Sequence, residues 1–347
     1  MHVLIICKVI DNYGDAGFCL RLARAIATQG HSVTLLHDNA AVFEDLLEPN
    51  PPKALDLCDA QDAAYRPEKL PQPDLIIEPF GTSAEQWTHR HDVPLKALFP
   101  NCPWILLDYL SAESWVEGFH KSQSIDPKTG HRVTYFYPGF GERTAGVIHC
   151  DAPALAQEPR QDQGGRLSLF VFCYANAPLE ELMAASRASG DLVGFAGAAM
   201  RKVDLPPHWR ALPFCPQTEF DNRLAEHDVL FVRGEDSFVR AQLAGKPLVW
   251  QIYPTDDAAH AVKLKAFFDV YSAAWAPAER NALWRLWTIW NRLDEEGDLM
   301  DAWLEVRSFW PILHAHSRRW RTHLQEGPEL VKELLTWCAQ RSPTFDK

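Results

Sequence analysis

Val3-Leu4-Ile5-Ile6-Cys7, the turn Asp11-Asn12-Tyr13-Gly14-Asp15-Ala16-Gly17, apolar residues at Leu20, Leu22, Ala23, Ile26 and Ala27, a stop at Gly30 and the run Ser32-Val33-Thr34-Leu35-Leu36 open this chain. The first run is apolar at every position, as in a strand covered on both faces inside a parallel sheet. The turn is polar and contains glycine. The spacing after it is helical, and Gly30 ends that helix because glycine takes the left-handed conformation that closes a last turn. Strand, helix and strand in this order predict a βαβ unit, the building block of α/β folds.

Further strands are expected at Leu75-Ile76-Ile77, Trp104-Ile105-Leu106-Leu107 and Gly146-Val147-Ile148. From Ala156 to Gly165 the chain turns polar, with Pro159 and a glycine pair, and reads as an interdomain linker. A second α/β series begins at Leu167-Ser168-Leu169-Phe170-Val171-Phe172, with later strands at Asp191 to Phe195, Val229 to Val232 and Pro247 to Trp250. A chain of 347 residues is long for one core. Two domains are therefore expected, residues 1–157 and 167–325, with a linker at 158–166 and a C-terminal helix in 326–347 packing back on the first domain. Eight of the thirteen tryptophans lie between Trp275 and Trp337 at helical spacing, and an aromatic stripe on helices is expected to be core.

Forty-six acidic residues against 34 basic ones give a net charge of −12. That disfavours general binding to nucleic acid or an anionic membrane, which carry negative charge themselves, and suits a basic partner. The eight cysteines include no C-x-x-C pair, so neither a zinc site nor a disulfide framework is indicated, and free buried thiols in a reducing compartment are expected. The opening apolar run is too short for a secretory signal, and no run approaches the ~20 apolar residues of a membrane span. A soluble, cytoplasmic protein is expected.

Ligands of open α/β sheets bind at the carboxyl ends of the strands, so the turn at 11–17 faces the expected site. It is no dinucleotide fingerprint, because its two carboxylates would repel a pyrophosphate at the helix start. Asp11 and Asp15 suit a cation or a proton, or else cap the turn and the helix. Arg233-Gly234-Glu235-Asp236-Ser237 again ends a strand and opens a helix. Gly234 allows close backbone approach, and Arg233 with the N–H groups at Asp236 and Ser237 makes an anion site for a diphosphate, with Glu235 aimed at a sugar. The same residues also read as an ordinary capped helix with a surface ion pair. Asp256 and Asp257, after Gln251 to Thr255, suit helix caps. Pro213 to Phe220 reads as a loop whose Gln217 and Phe220 either hold a base or simply pack. Neither histidines nor carboxylates stand at metal-ligand spacing, so no metal is expected. A G-x-S-x-G elbow, a Walker loop and a kinase signature are all missing from the sequence.

Lys8 to Gly17 with Arg21-Leu22-Ala23-Arg24, Leu107 to Val116, Phe136-Tyr137-Pro138-Gly139-Phe140, Arg233 to Ser237, and Tyr253 to His260 with Lys263-Leu264 recur in order. Together they resemble the bacterial protein-arginine rhamnosyltransferases that modify translation elongation factor P. Ala145 and Leu20 depart from that pattern, in place of a glycine and an aromatic residue, and touch only local packing. The resemblance implies a GT-B glycosyltransferase of two Rossmann-like domains facing across a cleft, with dTDP-β-L-rhamnose as donor and an arginine of elongation factor P as acceptor. By the same resemblance Asp11, Asp15 and Glu235 are the catalytic carboxylates. Tyr13, Gly14, Gly17, Phe172, Tyr174, Gln217, Phe220, Arg233, Asp236, Ser237 and Gln251 are assigned to the donor, and Tyr109, Ser111 and Glu113 to the acceptor. No cofactor beyond the sugar nucleotide is expected.

A guanidinium stays protonated and delocalised, so a carboxylate must do more than attract it. Asp15 is expected to act as general base and Asp11 to orient the acceptor, with attack opposite the leaving group giving inversion. Arg233 and the helix start would hold the departing dTDP without a divalent metal. A GT-B enzyme with a glycan or small-molecule acceptor, and a catalytically silent GT-B-like binding protein, are the alternatives.

Overall fold

The computed structural model describes residues 1–10, 13–81, 95–125, 127, 130–152, 165–197, 204–255 and 259–341. Contacts divide the chain into two units, one of Met1–Asp151 with Gly327–Lys347 and one of Ala152–Glu326. Of the expected linker, residues 158–164 lie outside the described residues. Gly165 is part of the second unit, where its carbonyl accepts from the Arg307 guanidinium.

The first unit begins with β1 (His2–Cys7), α1 (Tyr13–Thr28), β2 (Ser32–His37), α2 (Ala40–Leu46), β3 (Leu55–Asp59) and β4 (Leu75–Pro79). It continues with α3 (Leu95–Leu98), β5 (Trp104–Leu107), α4 (Val116–Phe119), β6 (Gln123–Ile125) and β7 (Arg132–Phe136). The strands lie in the order β3-β2-β1-β4-β5-β7-β6, all parallel except β6. The apolar run of β1 is explained by its place in the middle of this sheet. Val3, Ile5 and Cys7 join the core under α1, while Leu4 and Ile6 join Tyr65, Leu95 and Trp104 on the other face. Successive side chains of a strand point to opposite faces, so a strand covered on both sides is apolar throughout. Each side chain so buried contributes about 1.5–3 kcal/mol. The strand expected at Gly146 to Ile148 is not formed; the chain turns at Gly146, and Val147 makes a single bridge to Glu329.

The second unit holds β8 (Ser168–Phe172), α5 (Leu179–Ser189), β9 (Leu192–Ala196), β10 (Trp209–Ala211), α6 (Gln217–Glu226), β11 (Val229–Arg233), α7 (Asp236–Leu243) and β12 (Leu248–Gln251). Four helices follow, α8 (Ala259–Tyr271), α9 (Pro277–Trp290), α10 (Leu299–Ser308) and α11 (Trp310–Glu326). Its sheet is parallel throughout, in the order β10-β9-β8-β11-β12. Gln217 and Phe220 are the first turn of a helix rather than a loop. Pro216 precedes them as cap, a position where the missing N–H of proline costs nothing, and its carbonyl accepts from Phe220 N–H at 3.0 Å. The tryptophans are core. Trp290 and Trp303 pack on Phe231 of β11, and Trp287 and Trp320 surround Phe267. Three of these indole N–H groups find buried acceptors, Trp287 on the Leu248 carbonyl, Trp320 on Gln242 and Trp303 on Asp191, whereas that of Trp290 is buried without one among the described residues.

α12 (Leu330–Ala339) belongs to the first unit. Leu330, Val331, Leu334 and Trp337 enter the core beneath α1, and Trp337 meets Phe136 edge-on at 5.5 Å. Glu329 caps it by accepting Lys332 N–H at 2.7 Å. The approach to this helix requires glycine at 146, where φ is +72° and a Cβ would stand 1.9 Å from the Pro328 carbonyl oxygen. Among the described residues no helix is long and apolar enough to cross a membrane. Gly146→Ala is accordingly expected to cost about 2–5 kcal/mol, from left-handed strain and overpacking together. The check is the urea midpoint with limited proteolysis of the C-terminal helix; an unchanged midpoint with an uncut helix would refute it.

Candidate functional site

Both sheets reverse their order at one point, between β1 and β4 in the first unit and between β8 and β11 in the second. Connections there leave to opposite sides and open a crevice at the carboxyl ends of the strands. The described residues among those singled out in the sequence fall into two sets, one in each unit.

In the first unit the chain leaves β1 through Ile10, whose N–H donates to Asp15 Oδ2 at 2.8 Å. Asp15 is 7% exposed and stands in the first turn of α1, where the aligned backbone N–H groups favour a carboxylate. That hydrogen bond fixes its orientation. Asp11 lies outside the described residues. Gly14 is exposed and Gly17 buried along α1, and the Tyr13 hydroxyl donates to Asp45 on α2 at 2.6 Å. At the end of β4, Phe80 takes a left-handed φ of +64°, stacks on Tyr109 at 4.3 Å and meets Phe18 of α1 at a tilt, 5.2 Å between centroids. Tyr109 is thereby tied to the helix that carries Asp15. Ser111 donates to Glu113 at 3.0 Å and accepts Glu113 N–H at 3.1 Å, a local turn that holds the carboxylate.

In the second unit β11 ends on Arg233, whose guanidinium carbon lies 4.8 Å from the Phe172 ring centroid and 4.4 Å from that of Tyr174. Two aromatic faces from the end of β8 thus hold a half-buried cation at the switch point. Phe220 meets Phe172 edge-on at 5.4 Å, which brings the start of α6 into the same group. Gln251, buried at the end of β12, accepts Tyr174 N–H at 2.7 Å and donates to Asn176 at 3.0 Å. Gly234 has φ +65°, and its carbonyl accepts the Trp250 indole N–H at 2.8 Å. Asp236 opens α7. The Ser237 hydroxyl donates back to the Arg233 carbonyl, so its proton is engaged within the turn and an anion would be met by backbone N–H groups. Glu235 pairs with Lys263 of α8 at 2.8 Å. Gln217 is buried at the first position of α6. Burial pushes the Cys173 thiol up to about 12, against the downward pull of Arg233, so it stays a neutral packing group between the two aromatic residues.

Four contributors were not foreseen. Lys263 sat in a matched segment without a role, and Phe80 and Asn176 carry no local signal. Gly197, at the end of β9, has φ +95° and would place a Cβ 2.9 Å from the Phe172 ring; a glycine after the strand Leu192 to Ala196 was the available hint. Asp256 and Asp257, expected as helix caps, lie outside the described residues. Among the described residues no three histidine, cysteine, aspartate or glutamate side chains cluster as metal ligands.

Residues 3–339 match the family described as Elongation-Factor P (EF-P) rhamnosyltransferase EarP. A protein-arginine rhamnosyltransferase of Pseudomonas putida is 33% identical, over 95% of this chain and 97% of its own. A solved structure described as the structural basis for EarP-mediated arginine glycosylation of translation elongation factor EF-P shares the fold with a TM-score of 0.60 at 23% identity, covering 98% of this chain and 99% of that one. The spinosyn forosaminyltransferase SpnP does so with a TM-score of 0.58 at 12% identity, covering 98% of each chain.

Gly197→Ala tests whether the Phe172 face sets the cation. The added methyl is expected to push the ring away from Arg233 and to weaken inorganic pyrophosphate binding by roughly tenfold, the scale of one charge-assisted contact. Calorimetry reads it, and unchanged affinity would separate Phe172 from the anion site.

Proposed function

The chain belongs to the elongation-factor-P rhamnosyltransferase family and is a protein-arginine rhamnosyltransferase of GT-B fold; on that premise we propose that it moves L-rhamnose from dTDP-β-L-rhamnose to one arginine of elongation factor P, with inversion and without a metal. The observation that carries the donor side is Arg233, a cation held on two aromatic faces directly before the N-terminus of α7. A departing diphosphate needs positive charge that is in place before the bond breaks, and a preorganised guanidinium beside a helix N-terminus supplies it. Phe172 and Phe220 offer the apolar surface for the base.

Asp15 takes the acceptor side. As a guanidinium nitrogen attacks the anomeric carbon, the bond from that carbon to the diphosphate oxygen breaks, and the nitrogen's proton passes to the Asp15 carboxylate. Asp11 orients the guanidinium plane. Attack opposite a β leaving group gives the α-linked product. Tyr109, Ser111 and Glu113 line the acceptor side, and Glu235, held by Lys263, faces the sugar. The reaction belongs in the cytoplasm, where a translation factor is met.

Mass spectrometry of elongation factor P after incubation with enzyme and donor tests the whole reading. One deoxyhexose on one arginine is expected, at an undiminished rate in excess chelator, and nothing on the Arg→Lys variant, whose ammonium is a point charge without the planar fork. Transfer to a glycan instead, or donor binding without transfer, would favour a different acceptor or a silent binder; activity lost to chelator and restored by magnesium would remove the metal-free step.

The two halves of the chemistry are expected to separate by mutation. Asp15→Asn should lower kcat by about 10³-fold while dTDP affinity holds, and Arg233→Ala should weaken dTDP by roughly 10²-fold. Ser237→Ala should do less than Arg233→Ala, because its hydroxyl proton serves the turn. A large loss of dTDP affinity in Asp15→Asn, read by calorimetry, would contradict the assignment.

A further inference from the structure

The tryptophan-rich helices supply no reacting group, yet one of them ends against the donor site. α9 closes with Arg292 N–H on the Ile289 carbonyl at 3.0 Å and Leu293 N–H on the Thr288 carbonyl at 2.8 Å. This is the cap whose left-handed residue is usually glycine, because a side chain there crowds the backbone. Here it is Arg292, at φ +57°. Its guanidinium donates to the Asn176 carbonyl at 3.4 Å and to Glu181 at 3.2 Å. Asn176 lies in the loop after β8.

The preceding residue, Asn291, is buried and bridges the end of β12. Its amide donates to the Trp250 carbonyl at 2.8 Å and to the Trp287 carbonyl at 2.9 Å, and its oxygen accepts Ile252 N–H at 2.9 Å. Between Trp250 and Ile252 stands Gln251, which joins Tyr174 N–H to the Asn176 side chain. Tyr174 in turn lies under Arg233.

We propose that Asn291 and Arg292 are positioning residues for donor binding. They fix, from the tryptophan-rich layer, the two loops that set Tyr174 and therefore the guanidinium of Arg233. The inference rests on Arg233 being the partner of the diphosphate. The Arg292 and Glu181 side chains are 44% and 47% exposed, and a pair so wet adds little to folding. An arginine in a glycine position that does little for stability has its use in where it reaches.

The test is Arg292→Gly in the full-length enzyme. Glycine suits the backbone there, so the melting temperature is expected to hold or rise, while dTDP affinity falls by about fivefold, donor KM rises in proportion and kcat at saturating donor stays within about twofold. Arg292→Lys should recover part of the affinity, since an ammonium still donates to the Asn176 carbonyl. Asn291→Ala should weaken dTDP by roughly tenfold, because Ile252 N–H and the Trp250 carbonyl lose their partner. Wild-type dTDP affinity in Arg292→Gly, or an affinity loss accompanied by a lower melting temperature, would overturn the proposal. Failure of the wild-type chain to bind dTDP would instead overturn the reading of Arg233 beneath it.

Discussion

The guanidinium of Arg233 between Phe172 and Tyr174 is the contact around which the second unit is arranged. A cation over two rings gains about 0.5–2 kcal/mol from each face, but only if both rings stay in place. Phe172 is placed by the glycine at 197 and by Phe220, and Tyr174 by the buried amide of Gln251. Gly234, next to the arginine, is pinned through its carbonyl by Trp250, which itself stacks on Phe238 of α7 at 3.9 Å. The position of one charge therefore draws on β8, β9, β11, β12, α6 and α7.

A second constraint lies one layer below. Arg240 of α7 is fully buried and grips Asp221 of α6 with two parallel hydrogen bonds, at 3.1 and 2.8 Å. A buried ion pair is weak evidence for stability, since desolvation offsets most of the attraction. Its geometry is more informative, because a planar fork on a carboxylate fixes direction as well as distance. It sets the helix that starts with Gln217 and Phe220 against the helix that starts with Asp236 and Ser237.

The first unit uses a different economy of charge. Asp15, the carboxylate proposed as base, sits at a helix start and accepts a backbone N–H, while the aromatic run Phe18, Phe80 and Tyr109 ties the ends of β4 and β5 to α1. The left-handed Phe80 is strained for a side chain of its size, and it marks the point where β4 hands over to the site. The thiols stay neutral: burial pushes the partly buried Cys58 up to about 11 and Cys102, which donates to the Pro73 carbonyl at 3.3 Å, up to about 12, so neither is a nucleophile near neutral pH.

The sequence by itself determined the parallel strands, because a strand covered on both faces must be apolar throughout, and Val3 to Cys7 and Leu169 to Val171 are. It determined the strand-to-helix turns at Asp15 and at Arg233 for the same local reason, and the ordered motifs carried the family. Short strands such as β6, exposed along its length, and β10 left no such mark, and the glycine turn at 146 mimicked a strand. Gln217 and Phe220 read as loop because two prolines precede them, although proline is at home just before a helix. Only the tertiary structure decided that Arg233 rests on Phe172 and Tyr174, that Lys263 holds Glu235, and that Asn291 and Arg292 reach the chain after β12 and β8. Those partners are separated by about 30 to 120 residues of chain, and no local pattern encodes a contact that exists only once the strands have taken their order in the sheet.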